Sequence, residues 1–361
     1  MRAEDLLRLA FELHASDVHL TVGKPPVFRI HGKLVAADEL DTAGLPGREW
    51  LFALTAQHTE DLARQLMDEE RFQKLMQVGE VDLPYAVEGL GRFRVNAFKQ
   101  RGTVALSIRL IPGRIPSFEE LGLPEVVAQL ARRPRGLVLV TGPTGSGKST
   151  TLAAMIDLIN SEKRLHIITL EDPIEYLHVH KKSIVNQREI GRDSLSFAAA
   201  LRAALREDPD VILVGEMRDL ETIATAVTAA ETGHLVLATL HTPGAPQTID
   251  RIIDVFPPHQ QQQIRLQLSN VLEGIIAQQL LPRKDRPGRV VALEILVATP
   301  AIRNLIREGK THQIISHLQT GARYGMQTLD MALRGLVREG IVSREEALAR
   351  AVDAESLAKM L

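Results

Sequence analysis

Residues 142–149 read Gly-Pro-Thr-Gly-Ser-Gly-Lys-Ser and fill every fixed position of the phosphate-binding loop pattern. An apolar run at residues 137–140 comes shortly before the loop and predicts a buried strand. After the loop, apolar residues between 152 and 159 recur at helical spacing and predict a helix with one face in the core. A strand, this loop and a helix in that order predict an α/β domain that binds a nucleoside triphosphate. The alternative is a glycine-rich turn without a ligand.

The residue types in the loop fit the chemistry of a triphosphate. Glycines allow backbone N–H groups to turn toward phosphate oxygens, and the following helix adds its positive N-terminal end. Lys148 is expected to reach the terminal phosphates, and the Ser149 hydroxyl is expected to bind Mg²⁺. The predicted nucleotide-binding residues are Gly142, Pro143, Thr144, Gly145, Ser146, Gly147, Lys148, Ser149 and Thr150.

The composition limits the classes of function. The 361 residues are 45% hydrophobic and 24% charged, which is ordinary for a globular chain of two or three domains. The 43 basic and 45 acidic residues give a net charge of −2, so no overall field attracts nucleic acid or acidic lipid. The absence of cysteine excludes disulfides and thiolate metal sites. Because no apolar run approaches the roughly 18 residues that span a bilayer and no secretory signal is visible, a cytosolic chain is expected.

A segment with two prolines and a glycine, residues 111–116, predicts a linker between two differently patterned halves. In the first half, residues 18–22 and 92–97 alternate apolar with polar side chains, which predicts half-buried strands. Residues 59–78 are charged and helix-favouring, whereas residues 41–56 show no clear pattern. The first half is therefore expected to be a small α+β domain.

The second half alternates predicted strands with predicted helices. Apolar runs at residues 167–170, 211–214 and 235–240 predict three further buried strands. Helical stretches, such as 197–205 and 222–230, separate these strands. Ser117 and Glu120 have the spacing of a capping box, which predicts that a helix begins after Ser117. This alternation predicts a mostly parallel sheet that is covered on both faces and binds its ligand at the carboxyl ends of the strands.

Acidic and histidine side chains follow these strands. Glu216 is the candidate ligand of Mg²⁺, directly or through water, and Glu175 is the candidate that orients or deprotonates the attacking water. An isolated acid at a strand end is usually a cap or a surface charge, but two acids beside a phosphate loop favour catalysis. His241 is expected to contact the terminal phosphate or to link it to the next subunit. For His234 a structural role and a functional role remain equally open.

Two arginines of the first half face each other if the chain forms a hairpin that turns at residues 101–102. Arg94 and Arg109 are then cross-strand neighbours. Like charges directly opposite are unfavourable, so this pair indicates an anion close by. A phosphate from another domain or subunit would make them arginine fingers. The alternative is two solvated arginines on a polar face.

The motifs of this chain resemble those of the secretion ATPase superfamily, and within it those of the type IV pilus retraction ATPases. The resemblance runs over nearly the whole chain. It includes Ala-Ser-Asp-Val-His-Leu at 15–20, the acidic box at 171–176, Val-Asn-Gln-Arg-Glu at 185–189, residues 205–210 and the histidine box at 232–234. The stretch at 301–308 is similar to the signature of the retraction branch. Two segments depart from the family pattern, namely residues 41–56 and residues 244–246.

The resemblance implies a homo-hexameric ring that binds ATP and Mg²⁺. Each subunit would have a PAS-like N-terminal domain at residues 1–111, a linker at 112–117 and a RecA-like ATPase domain at 118–361. It also implies that Arg94 and Arg109 approach the terminal phosphate. By the same resemblance, Glu175 matches the catalytic glutamate and Glu216 the Walker B acid.

The stretch at 301–308 has the pattern of a short amphipathic helix that begins after Thr299 and ends at Gly309. Its apolar residues would pack on the core, and Arg303, Asn304, Arg307 and Glu308 would face outward. The resemblance implies that the helix is required for retraction beyond ATP hydrolysis. The residues of this coupling motif are Ala301, Ile302, Arg303, Asn304, Leu305, Ile306, Arg307 and Glu308.

The function that the resemblance implies is an ATP-driven motor for pilus retraction. The ring would act on an inner-membrane platform protein and so indirectly on pilin, from the cytoplasmic face of the membrane and without direct contact with nucleic acid. One alternative is a pilus assembly or type II secretion ATPase. Two others come from different classes, namely a RecA-like nucleic-acid motor and a nucleotide-gated binding module that does not hydrolyse ATP.

Overall fold

The computed structural model describes residues 2–30, 32–40, 52–111 and 113–361. The chain folds as two compact units, Met1–Arg114 and Ile115–Leu361. Most of the unpatterned segment 41–56, namely residues 41–51, lies outside the described residues, as does residue 112 of the predicted linker. No helix within the described ranges is both long enough and apolar enough to cross a membrane.

The first unit is an antiparallel sheet with helices packed against it. In the part of the chain that the structure describes, six strands pair in the order β3-β2-β1-β6-β5-β4. The core includes the fully buried side chains of Leu6, Phe28, Phe72, Phe93 and Leu106. The elements are α1 (Ala3–Glu12), β1 (Asp17–Leu20), β2 (Val27–Ile30), β3 (Lys33–Ala36), α2 (Ala56–Leu66), α3 (Glu69–Val78), β4 (Glu80–Val87), β5 (Gly91–Gln100) and β6 (Thr103–Ile111).

The helix-favouring segment 59–78 forms two helices rather than one continuous helix. The Asp68 carboxylate accepts a hydrogen bond from the Arg71 N–H at 2.9 Å and so caps the start of α3. At Met67 the backbone is extended, which ends α2. A short acidic side chain competes with the helical backbone for hydrogen bonds, and a residue such as Asp68 therefore starts a new helix.

The second unit contains the phosphate-binding loop. In this unit, which is described throughout, seven strands pair in the order β13-β12-β7-β11-β10-β8-β9. The pairing is parallel except between β12 and β13. The elements are α4 (Phe118–Leu121), α5 (Glu125–Ala131), β7 (Gly136–Thr141), α6 (Lys148–Glu162), β8 (His166–Glu171), β9 (Ile184–Glu189), α7 (Phe197–Ala204), β10 (Val211–Val214), α8 (Leu220–Glu231), β11 (Leu235–Leu240), α9 (Ala245–Asp254), α10 (Pro258–Val271), β12 (Leu272–Pro282), β13 (Arg289–Val297), α11 (Pro300–Arg307), α12 (Ile314–Thr320), α13 (Leu329–Arg338), α14 (Arg344–Arg350) and α15 (Ala354–Met360).

The central strands are buried on both faces, as their apolar runs predict. Along β7, Leu137 and Leu139 belong to one apolar cluster, and Val138 and Val140 belong to a second cluster on the other face. The predicted fold class, a mostly parallel α/β sheet preceded by a small α+β domain, is confirmed. Because β7, β8, β10 and β11 run parallel, the residues that follow their carboxyl ends meet at one edge of the sheet.

The capping box before the second unit is present. The Ser117 N–H donates to the Glu120 carboxylate at 2.8 Å, and the Ser117 hydroxyl accepts from the Glu120 N–H at 3.3 Å. The helix it starts, α4, is only one turn long and ends at Gly122, which has a φ of +66°. A second helix, α5, then leads to β7.

Candidate active site

The phosphate-binding loop joins the end of β7 to the start of α6 and packs against β12. Gly142 has a φ of +137°, and a Cβ atom there would collide with the backbone carbonyl of Gln278. Gly147, with a φ of +88°, occupies the N-cap of α6. The Gln278 side chain, buried in β12, donates from its Nε2 atom to the Ser146 carbonyl at 2.6 Å. The loop therefore needs glycine at positions 142 and 147. The hydrogen bond from Gln278 fixes the loop to β12.

Lys148 lies over the loop that precedes it. Its Nζ atom donates to the carbonyls of Gly142 at 2.8 Å and Pro143 at 3.1 Å. Burial lowers the pKa of the Lys148 ammonium, and the Glu216 and Glu175 carboxylates act in the opposite direction. The positive charge is thus held at the carboxyl edge of the sheet, among groups that a triphosphate would contact.

Acidic side chains from two strand ends share a cavity with the loop. The cavity has a volume of about 80 Å³. Ser149, Glu171, Glu175 and Glu216 all line it. Glu171 ends β8, Glu175 lies in the loop that follows, and Glu216 comes two residues after β10. The structure therefore brings together the hydroxyl and the acids that were predicted from separate segments.

Glu216 has two basic neighbours. Its Oε1 atom is 2.9 Å from His241 Nε2. The same oxygen contacts Arg218, which the sequence did not single out. On the neighbouring strand, the Thr239 hydroxyl donates to the Gly215 carbonyl and ties β11 to the turn that carries Glu216. His241 is thus placed where it can respond to a charge beside Glu216.

The structure does not bring His234 to this edge. His234 precedes the amino end of β11, whereas His241 follows its carboxyl end. The His234 Nδ1 atom lies 2.9 Å from the Ala229 carbonyl in the last turns of α8. Its backbone carbonyl accepts from the Gly136 N–H at 3.0 Å. Within this unit, His234 therefore bonds to the carboxyl end of α8. It does not line the cavity that holds Glu175 and Glu216.

Glu171 is a site residue to which sequence reasoning assigned no role. Burial raises the pKa of the Glu171 carboxyl above its ordinary range, and hydrogen bonds from Thr169 and Gln187 act in the opposite direction. The Thr169 hydroxyl lies 2.6 Å from Glu171 Oε1. Its position as the first residue of the acidic box is the one signal that could have identified it.

The donor set fits Mg²⁺. The Ser149 hydroxyl and the Glu216 carboxylate are hard oxygen ligands that line the same cavity. Across the described ranges, no group of three or more His, Cys, Asp or Glu residues is arranged to hold a metal ion by itself. This ion typically keeps several waters and takes one or two protein oxygens together with substrate phosphates. These residues thus suit an ion that arrives with a nucleotide.

In the first unit, Arg94 and Arg109 are directly opposite each other on β5 and β6, and the predicted pairing is confirmed. Each has a carboxylate beside it that the sequence did not indicate. Arg109 Nε lies 2.9 Å from Asp17 Oδ1, and Arg94 Nε lies 3.7 Å from Asp82 Oδ1. Part of the repulsion between the arginines is therefore offset within this unit.

The coupling motif forms the predicted helix. The Thr299 side chain caps α11, and Gly309 follows its end with a φ of +70°. The expectation that Arg303 faces outward is wrong. Arg303 Nη1 donates at 2.8 Å to both the Ser269 and the Asn270 carbonyls, and Nη2 lies 2.9 Å from Glu273 Oε1.

Arg303 turns inward because the last carbonyls of α10 lack partners in their own helix, and a guanidinium can satisfy several of them at once. Arg307 and Glu308 are exposed, as predicted. So is Asn304, whose amide donates to Glu308 at 2.9 Å.

The chain is similar to known proteins over nearly its full length. The family model for the type II/IV secretion system protein matches residues 5–349. The chain is 50% identical over 351 residues to the type IV pilus retraction ATPase PilT of Pseudomonas aeruginosa, which covers 97% of this chain and 98% of that protein. It is also 50% identical over 332 residues to the twitching motility protein of Neisseria gonorrhoeae, with 92% of this chain and 86% of that protein covered. A crystal structure of the pilus retraction motor PilT with bound ADP has a TM-score of 0.89 and 52% sequence identity, and covers 99% of each chain.

Proposed function

The chain belongs to the type II/IV secretion system protein family, and on that premise we propose that it is an ATP-hydrolysing motor that powers the retraction of type IV pili. The observation that carries the ATPase part is the cavity at the carboxyl edge of the sheet, where Glu175 and Glu216 lie with Ser149. The retraction part is supported by the full-length similarity to a pilus retraction ATPase and by the coupling motif at 301–308.

Nucleotide is held by the loop residues 142–150. The Lys148 ammonium pairs with the terminal phosphates, and the N–H groups at the start of α6 bind phosphate oxygens. Ser149 holds Mg²⁺ directly, and Glu216 holds it directly or through water. When bound, the ion neutralises charge on the phosphates and orients them.

Glu175 orients or deprotonates the attacking water, since its carboxylate lies at the same edge as the loop. His241 contacts the terminal phosphate and transmits its presence through Glu216, which is 2.9 Å away. Arg94 and Arg109 leave their carboxylate partners and stabilise the charge that develops on the transferred phosphoryl group.

The assembly is a homo-hexamer. Each subunit consists of a PAS-like domain at residues 1–111, a linker at 112–117 and a RecA-like domain at 118–361. The ring works at the cytoplasmic face of the inner membrane on a platform protein, and through it on pilin.

Steady-state ATPase assays of the purified protein test the site. Glu175→Gln keeps the size of the side chain but cannot accept a proton, so kcat should fall roughly 100-fold or more. The affinity for ADP should stay unchanged, whereas Lys148→Ala should weaken it. Glu339→Gln, an exposed acid at the end of α13, is the matched control. Normal turnover by Glu175→Gln would remove Glu175 from the chemistry.

The direction of the motor is tested in cells that lack their own retraction ATPase. This chain should restore the retraction of fluorescently labelled pili, and Lys148→Ala should not. Restored extension without retraction would instead support an assembly motor. Stimulation of the ATPase by DNA, lost as salt is raised, would support a nucleic-acid motor.

A further inference from the structure

Strand β9 carries polar side chains on its inward face. Val185, Gln187 and Glu189 alternate along the strand, and Val185 is packed in the core. Glu189 has only 7% of its surface exposed, and Gln187 is half-buried. Burying such groups is costly unless they are hydrogen-bonded. The pattern is unexpected for an edge strand, where apolar side chains usually fill the inward positions.

These two side chains bond to the backbone of the loop that carries Glu175. On one side of Glu175, the Glu189 carboxylate accepts from the Ile174 N–H at 3.1 Å. On the other side, Gln187 Nε2 donates to the Tyr176 carbonyl at 2.8 Å, and Gln187 Oε1 accepts from the His178 N–H at 2.8 Å. The backbone is therefore held immediately before and immediately after Glu175.

The same network reaches Glu175 itself through Glu171. The Glu171 Oε1 atom accepts from Gln187 Nε2 at 3.1 Å, and the nearby Glu175 backbone works against the burial that raises the pKa of the Glu171 carboxyl. The loop is also tied to α6, because the Tyr176 hydroxyl lies 3.0 Å from the Thr150 hydroxyl. The residues immediately before and after Glu175 thus each have a backbone group bonded to a side chain of β9.

We propose that Gln187 and Glu189 are positioning residues that aim the Glu175 carboxylate at the attacking water. The inference rests on the role proposed above for Glu175. A displacement of about 1 Å in a catalytic group can cost about 100-fold in rate, so side chains that hold the backbone on both sides of Glu175 affect turnover. Neither side chain needs to touch the nucleotide.

The test separates turnover from binding. Gln187→Met keeps the length of the side chain and removes both ends of the amide, and Glu189→Leu removes the acceptor for Ile174. For each, kcat should fall roughly tenfold or more while the KM for ATP and the Kd for ADP change less than about twofold. Glu189→Gln retains a carbonyl acceptor, so its kcat should stay within about twofold of the wild type.

Asn186→Ala is the matched control. Asn186 lies on the opposite face of the same strand and contacts His166, with 2.8 Å between Asn186 Nδ2 and His166 Nε2. This variant should leave kcat unchanged, and thermal melting of every variant checks the fold.

Two outcomes would overturn the proposal. One is an unchanged kcat in a folded Gln187→Met protein. The other is a parallel fall of kcat, ADP affinity and melting temperature in both Gln187→Met and Glu189→Gln, which would make these residues purely structural. Glu175→Gln distinguishes these failures from a failure of the proposed function. If Glu175→Gln turns over ATP normally, the role assigned to Glu175 is wrong, whatever the kcat values of the β9 variants are.

Discussion

Arg94 and Arg109 are both exposed and both paired with a carboxylate. Each is exposed enough to meet a phosphate, and each has a carboxylate of the same unit as a partner. Surface ion pairs of this kind contribute little stability, so they can be exchanged for a phosphate at small cost. In the proposed mechanism, Asp17 and Asp82 release the two guanidinium groups when nucleotide arrives.

Replacing either arginine should slow the chemistry and leave nucleotide binding intact. For Arg94→Ala or Arg109→Ala, kcat should fall roughly 1000-fold, because an arginine finger stabilises the transition state rather than the ground state. Single-turnover ATP hydrolysis and ADP titration measure the two effects separately. Arg71→Ala, which removes an arginine paired with Asp68 at the start of α3, is the control. Wild-type rates in both finger variants would show that these arginines are only solvated surface charges.

His178 should make stability depend on pH. Burial lowers the pKa of its imidazole to about 4, and its Nδ1 atom has no hydrogen-bond partner among the residues that the structure describes. The unfolded chain, with a histidine pKa of about 6.5, binds this proton first as the pH falls. The stabilising contribution is therefore complete above about pH 6.5 and is lost progressively toward pH 4.

Urea unfolding at pH 7 and pH 5 measures this effect. The wild type should lose about 2 kcal/mol more than His178→Leu between the two pH values, because other groups cancel in the comparison. His312→Gln, at an exposed histidine, should behave as the wild type does. Equal losses in the wild type and His178→Leu would mean that the pKa of His178 is the same in the folded and the unfolded chain.

At the scale of single elements, the coupling helix α11 carries one arginine that bonds to neighbouring elements and one that is exposed. Arg303 joins the end of α10 to Glu273 on β12, and Glu273 Oε2 also lies 3.2 Å from Arg133 Nε after α5. Arg307 lies one turn further along α11 and is exposed. The buried residues of the motif pack the helix on the core, and in the proposed function the exposed residues meet the partner.

Substitutions of these two arginines should therefore have different effects. Arg303→Ala leaves two carbonyls of α10 and the Glu273 carboxylate without this partner, and should lower the free energy of unfolding by about 2 kcal/mol or more. Arg307→Ala should change it by less than about 0.5 kcal/mol, since the side chain is exposed. Urea denaturation compares the two variants directly. Equal destabilisation would contradict the inward role of Arg303.

Local sequence patterns predict the strands and helices well. They predict poorly which side chains distant in the sequence will contact each other. Apolar runs predict β7, β8, β10 and β11 because strands buried on both faces need continuous apolar side chains. The Arg94–Arg109 register follows from the two-residue turn, since a tight turn fixes every pair in a hairpin. By contrast, Glu273 is 30 residues away from Arg303, and no local pattern connects them. The network around Glu175 escaped prediction for the same reason, because a polar residue facing inward is recognisable only once the loop that it bonds to is in place.

At the scale of the whole molecule, the two units each have a core of their own. In the proposed hexamer, hydrolysis takes place at successive sites around the ring. Subunits that fire in succession cannot act independently, so one inactive subunit should stall its neighbours.

Mixed rings test this coupling. In a 1:1 co-assembly of wild-type and Glu175→Gln subunits, only about 2% of six-membered rings contain no inactive subunit. ATPase activity per wild-type subunit should therefore fall well below its value in unmixed rings. Activity that stays proportional to the wild-type fraction would indicate independent sites.

The central claim is that this chain converts ATP hydrolysis into pilus retraction. The most direct measurement is the retraction rate of labelled pili in cells that carry Arg307→Ala as their sole retraction ATPase, together with the ATPase rate of the same purified variant. The proposed function predicts lost or slowed retraction with ATPase turnover close to that of the wild type. Full retraction by a variant without this side chain, or loss of turnover together with retraction, would contradict the role of the outward face of α11 in coupling hydrolysis to movement.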